Sequence, residues 1–79
     1  MNTQNCKSLQ SAIDFLNKAK EIIEEIGEGE QEKFDNLFVH EGLQETEKGI
    51  KLEENASLLE RYSGEVEGII YEIDQIIES

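Results

Sequence analysis

The feature that most constrains this chain is an apolar stripe between Leu52 and Ile77. Leu52, Asn55, Leu59, Tyr62, Val66, Ile69, Ile73 and Ile76 follow one another at alternating spacings of three and four. Only Asn55 departs from apolar character. Such a stripe is the seam of an amphipathic helix that packs on other helices. Earlier in the chain Leu9, Ala12, Leu16, Ala19, Ile23 and Ile26 repeat the spacing, and Ile13, Phe15 and Ile22 widen the apolar face on its flanks. No stretch alternates with period two, so strands have nothing to stand on. Proline is absent and Glu, Lys, Leu and Ile are abundant, which favours helix throughout.

The first helix is expected to start near Thr3 or Asn5, either of which can cap it with a side-chain oxygen. Gly27 and Gly29 then weaken it by about 2 kcal/mol relative to alanine, which predicts a kink or a break there. The phase nevertheless continues through Glu30, Lys33 and Leu37, as a kinked helix would and a loop would not. From Leu37 to Leu43 the periodicity fails, and Gly42 suits a turn. The reading is all-α: one domain over residues 1–79, with arm one over about 5–37, a turn over about 38–43 and arm two over about 44–78. Equal arms joined by a short turn form an antiparallel helical hairpin.

A two-helix hairpin of 79 residues has little core, and the usual reinforcements are disulfides, a metal, oligomerisation or very regular helix packing. Cys6 is the only cysteine, which excludes an intrachain disulfide and a thiolate zinc cluster. Ile13, Phe15, Ile22, Leu58, Ile70 and Ile77 flank the seams and are the expected oligomer interface. The simplest closure is a dimer of hairpins in a homo-oligomeric helical bundle, with higher even numbers open.

Nineteen acids against seven bases give a net charge of -12, which repels nucleic acid backbones and anionic membranes. No stretch is apolar for long enough to span a bilayer, and residues 1–10 lack a signal peptide's apolar run. The expectation is a cytoplasmic protein. No nucleophile stands beside a base, no glycine-rich phosphate loop is present and no Glu-x-x-His pair offers a di-iron site. His40 is a lone histidine in the turn, and Glu28 to Glu32 miss the spacing of a calcium loop. The reading is therefore non-enzymatic, without cofactor or metal.

Polar residues on the seam are the most informative irregularity. Glu30 and Lys33 on the first arm, with Lys48, Asn55 and Tyr62 on the second, gather near the loop end of a hairpin. Lys33, Lys48, Asn55 and Tyr62, with Phe34 and Gln44 at the mouth, are the candidate ligand- or partner-binding residues. They line a polar pocket, fix the packing register, or are wet where the loop end splays apart. Gly64, Gly68 and Tyr71 share an outer face, either a close-approach surface or a tolerated weakness. Glu21, Glu24, Glu25, Glu28, Glu30 and Glu32 occur with no base among them, and no base follows Arg61. Acids toward a helix C-terminus oppose the macrodipole, so these form either a solvated face or a mimic of a nucleic acid backbone.

Phe34-Asp35-Asn36-Leu37 and Gly42-Leu43-Gln44-Glu45-Thr46-Glu47-Lys48-Gly49, with the preceding Ile22-Ile23-Glu24-Glu25-Ile26, resemble a family of small acidic α-helical phage and prophage proteins. In that family a proline follows the aspartate-asparagine-leucine turn; here Phe38-Val39-His40 stand in its place. The resemblance brings no activity with it. It implies a phage setting, in the host cell cytoplasm, where small acidic proteins and helical oligomers act against bacterial immunity. The leading expectation is a binding protein that counters a host defence or nucleic-acid-handling system by occupying a basic partner protein's surface, as a nucleic acid mimic in its sharpest form. One alternative is an oligomeric sponge that sequesters a small nucleotide-derived immune signal; another is a purely structural assembly protein.

Overall fold

A computed structural model of the protein describes residues 1–37 and 46–79, and it is all-helical. The expected turn over about 38–43, with His40 and Gly42, and the candidate Gln44 lie outside the described residues. Helix α1 runs over Thr3–Asn36 and helix α2 over Glu47–Glu78. The cap of α1 is Asn2, one residue before the earlier of the two expected caps. Asn2 Oδ1 accepts the backbone N–H of Asn5 at 2.7 Å, so Asn5 donates to the cap instead of forming it. Thr46 caps α2, its hydroxyl accepting from the Gly49 N–H at 3.2 Å. At the far end of α1 the Leu37 N–H bonds the carbonyls of Lys33 and Phe34.

The helices pack side by side in opposite directions. Gly27 lies against Leu59 and Ala56, Glu24 bonds Ser63 and Lys20 pairs with Glu67, so positions rise on α2 as they fall on α1. The result is a rod of 57 × 15 × 14 Å with a radius of gyration of 17.6 Å. A compact domain of this length has a radius of gyration of about 12 Å, so the hairpin presents an unusually large surface for its mass.

Helix α1 is unbroken through Gly27 and Gly29, which corrects the expectation of a possible break. Gly27 is buried, and a Cβ built there would sit 3.3 Å from the Leu59 Cβ. The missing side chain lets the two helices approach, and the tertiary contact offsets the helix propensity that glycine costs. Gly29 has nothing within 4 Å.

The packed seam is shifted from the stripe read in the sequence. The run of sheltered positions that faces the other helix is Cys6, Leu9, Ile13, Leu16, Lys20, Ile23, Gly27, Glu30, Phe34 and Leu37 along α1 and its C-cap, and Gly49, Leu52, Ala56, Leu59, Ser63, Val66, Ile70, Ile73 and Ile77 on α2; Ala12, Gly29, Asn55 and Asp74 are half-buried beside it. Both runs alternate by three and four without a fault. Every second member coincides with the expected stripe, and every other member lies one residue later. Ile26, Tyr62, Ile69 and Ile76, expected inside, are therefore exposed. At its centre the hairpin seam takes the smaller Gly27, Ala56 and Ser63 in place of Ile26, Asn55 and Tyr62, whereas farther along α1 it takes Ile13 and Lys20 in place of Ala12 and Ala19. Lys20 fits because its aliphatic stem lies along the seam while its ammonium reaches Glu24 at 3.4 Å and Glu67 at 3.8 Å.

Candidate binding surfaces

The shifted seam gives the hairpin two unlike sides. On one side, the small residues Gly27, Ala56 and Gly64 leave a hollow of about 440 Å³ between the helices. Glu24 and Glu28 from α1 line it together with Glu60 and Glu67 from α2, with Gln31 and Ser63 between them. The buried Ser63 hydroxyl donates to Glu24 Oε1 at 2.8 Å, the one described side-chain hydrogen bond between the helices. That hydrogen bond holds the Glu24 carboxyl below its usual range, against the opposing effect of burial and with help from Lys20. The carboxylate therefore stays charged and anchored to α2. Among the described residues, no group of three or more His, Cys, Asp or Glu side chains is placed to hold a metal ion.

The opposite side is apolar over most of its length. Phe15 is 76% exposed, Ile22 47%, Ile26 51%, Ile69 47% and Ile76 48%, with Leu58 and Tyr62 beside them. Helical phase extends this side toward the loop end of the hairpin, since Lys33 lies seven residues from Ile26, Lys51 seven from Leu58 and Asn55 seven from Tyr62. There Thr46, Glu47, Lys48, Lys51, Leu52 and Asn55 line a second, shallower hollow of about 630 Å³.

The structure thus brings Lys48 and Asn55 together, and adds Lys51, which sequence reasoning passed over. The spacing 48, 51, 55 is itself helical, so the signal is present in the sequence, but Lys51 lies off the expected stripe. Lys33 is exposed and pairs with Glu30 at 3.8 Å on its own helix. Phe34 is half-buried on the seam. The Arg61 guanidinium lies over the Tyr62 ring, 5.1 Å from its centroid. Neither Lys33, Phe34 nor Tyr62 lines the hollow around Lys48. Of the residues expected to join chains, Ile13, Ile70 and Ile77 lie on the hairpin's own seam, whereas Phe15, Ile22 and Leu58 face outward. Ser63 and Glu24 were also missed as a pair, because Ser63 belongs to the shifted phase.

Fold and surface together define the class: an antiparallel helical hairpin with one acidic and one apolar side. No described helix is long and apolar enough to cross a membrane. No family of known proteins, no curated protein and no solved structure matches this chain significantly.

Proposed function

We propose that this chain is a non-enzymatic, phage-type binding protein that counters a host defence or nucleic-acid-handling system by laying its acidic side on a basic partner protein. The observation that carries the reading is the segregation of charge. Glu24, Glu28, Glu60 and Glu67 converge on one hollow, where Lys20 pairs with Glu24 and Glu67 and leaves the group net negative, whereas the basic residues of the opposite side, Lys33, Lys48 and Lys51, collect at one end of it. A surface that gathers carboxylates along a rod offers regularly placed negative charge, which is how a nucleic acid backbone presents itself to a basic groove. The proposal includes self-association of the hairpins into a bundle, bent at Gly27 to Gly29, which would lengthen the acidic surface.

The test is a pull-down from lysate of the producing cells at low and high salt, with the wild-type chain and a Glu24→Gln, Glu28→Gln, Glu60→Gln, Glu67→Gln variant as bait. A specific partner should be lost at high salt and in the variant. A partner retained in both excludes charge mimicry.

A second reading, sequestration of a small nucleotide-derived signal, is favoured by the hollow at the loop end. Lys48 and Lys51 supply positive charge there and Asn55 an amide for directional hydrogen bonds. Native mass spectrometry of the protein purified from its own host, before and after denaturation, tests it. A released anionic compound, absent from a Lys48→Ala or Asn55→Ala preparation that still folds, supports sequestration; an empty protein refutes it.

A further inference from the structure

The packed seam runs off the centre of the apolar arc on both helices. Around α1, helical phase orders the neighbours of Ile23 as Glu24, Gly27, Ile23, Ile26 and Ile22; around α2 it orders those of Leu59 as Glu60, Ser63, Leu59, Tyr62 and Leu58. The seam lies between the second and third members of each series, so one flank is acidic while the apolar fourth and fifth members are exposed. A seam between the third and fourth members would sit at the middle of the arc.

The Gly27 contact with Leu59 and the Glu24 bond to Ser63 fix the levels of the helices, and so what each choice puts inside. Toward the chain termini the two are alike, with Leu16 level with Ile70 in one and with Ile69 in the other. In the central turns the observed seam sets Lys20 by Val66, Ile23 by Ser63 and Gly27 by Leu59. The other would set Ala19 by Val66, Ile23 by Tyr62 and Ile26 by Leu59, all more apolar. Toward the loop end the preference reverses, because the observed seam holds Phe34 by Leu52 where the other would hold Lys33. Centre and loop end therefore favour different phases of the same two helices, and hydrophobic burial leaves the choice close.

We propose that the hairpin has a second packing, reached when each helix rolls about its own axis by about one-seventh of a turn, in which Ile26 and Tyr62 replace Gly27 and Ser63 between the helices. Leu16, Ile23, Leu59 and Val66 stay inside in both packings, so the antiparallel arrangement does not come apart. The levels change by a slide of about 1.5 Å. Three polar contacts hold the observed packing against the roll: the Ser63 hydroxyl on Glu24, and the Lys20 ammonium on Glu24 and Glu67. When Gly27 and Ser63 turn outward these contacts part, and Glu24 and Glu28 swing away from Glu60 and Glu67. The acidic hollow and the exposed apolar row are then two faces of one packing. A basic partner seated in the hollow, as in the function proposed above, would hold the apolar row outside. That coupling rests on the functional reading, whereas the roll itself does not.

Gly27→Val selects between the packings, because its side chain crowds Leu59 in the observed seam and faces outward in the rolled one. The reporters are two Cys6→Ser chains, one carrying Tyr62→Cys and the other Ser63→Cys, and the rate at which a disulfide reagent modifies each thiol. With Gly27 in place, the Tyr62→Cys chain should react about tenfold faster than the Ser63→Cys chain, following exposure. With Gly27→Val added, the order should reverse while circular dichroism shows the helix kept. An unchanged order in a helical Gly27→Val chain overturns the proposal, and so does loss of the helix, since the rolled packing has room for the side chain. In the unsubstituted chain, relaxation dispersion at the methyl groups of Ile26, which enters the seam, and Ile70, which leaves it, should show exchange that persists on dilution. Flat profiles, or exchange that vanishes on dilution as association of copies would give, overturn the roll and leave the function proposed above standing. Failure of the salt-dependent pull-down refutes that function and leaves the exchange untouched.

Discussion

Gly27 offers the sharpest test of how the hairpin is held together. A β-branched side chain at Gly27 is compared with the same change at Gly68, where a Cβ would meet nothing within 4 Å. Both glycines sit inside helices, so Gly→Val brings the same intrinsic change at each, a gain of a few tenths of a kcal/mol in helix propensity. That contribution cancels in the comparison, and what is left is packing. At Gly27 the first added carbon already stands 3.3 Å from the Leu59 Cβ, tighter than ordinary contact, with the Ala56 carbonyl oxygen in ordinary contact at 3.9 Å. Two further methyl groups must then push α2 away from α1 over the central turns. Overpacking of this kind costs about 1–3 kcal/mol. Gly27→Val should therefore be less stable than Gly68→Val by that amount, which corresponds to roughly 4–8 °C in Tm per kcal/mol for a domain of this size. Urea unfolding followed by circular dichroism, at one protein concentration because association would shift the midpoint, measures the difference. Equal midpoints for the two variants would refute the close approach at Gly27 and with it the observed phase of the seam.

Other consequences can be measured with the same preparations. Asn2→Ala should lose about 1 kcal/mol by leaving the Asn5 N–H without its acceptor, read as a lower urea midpoint and fraying of the first turn of α1 by hydrogen exchange. The Glu24 carboxyl should titrate below the ordinary carboxyl range in an NMR pH series, and Ser63→Ala should raise it toward that range. Because folding lowers this pKa, the stabilisation it brings is complete above the ordinary carboxyl range and disappears as pH falls through the lowered value; Ser63→Ala should remove most of that acid-side dependence. Gly68→Ala should gain about 1 kcal/mol, since nothing opposes the added methyl group within the hairpin; a loss would show that another backbone approaches the Gly64, Gly68 and Tyr71 face. Polylysine should bind the acidic side with an affinity that falls steeply with salt, and Glu60→Gln, Glu67→Gln should weaken it at low salt, read by fluorescence anisotropy.

The candidate site was legible only in part, and the reasons are particular. Lys48 and Asn55 could be placed together because seven residues separate them on one helix, a local relation that needs no knowledge of the partner helix. The convergence of Glu24 and Glu28 with Glu60 and Glu67 could not be read, since it depends on how far one helix slides along the other. Nor could the Ser63 to Glu24 hydrogen bond, which joins residues 39 apart in the chain. The lack of bases around Glu24 and after Arg61 was visible as a feature of each arm, but not that Glu24 and Glu28 of one arm would meet Glu67 of the other across one hollow.

That the chain is helical, that it contains two long arms, and that each arm carries an apolar row repeating every seven residues can be read from the order of its residues. Those properties follow from local propensity and from a periodicity that a single helix can express alone. Which row the hairpin keeps for itself depends on how the two helices pack. Leu9, Leu16 and Ile23 on α1, and Leu52, Leu59, Val66 and Ile73 on α2, belong to both possible seams. Their neighbours on either side are apolar enough to compete, so hydrophobicity does not choose between them. Closeness does: Gly27, Ala56 and Ser63 let the backbones approach and let Ser63 bond Glu24, which Ile26, Asn55 and Tyr62 at the same seam would prevent. Ile26 and Tyr62 are left on the outside, with Ile69 and Ile76 in the same phase, and that displacement by one residue gives the rod its apolar side.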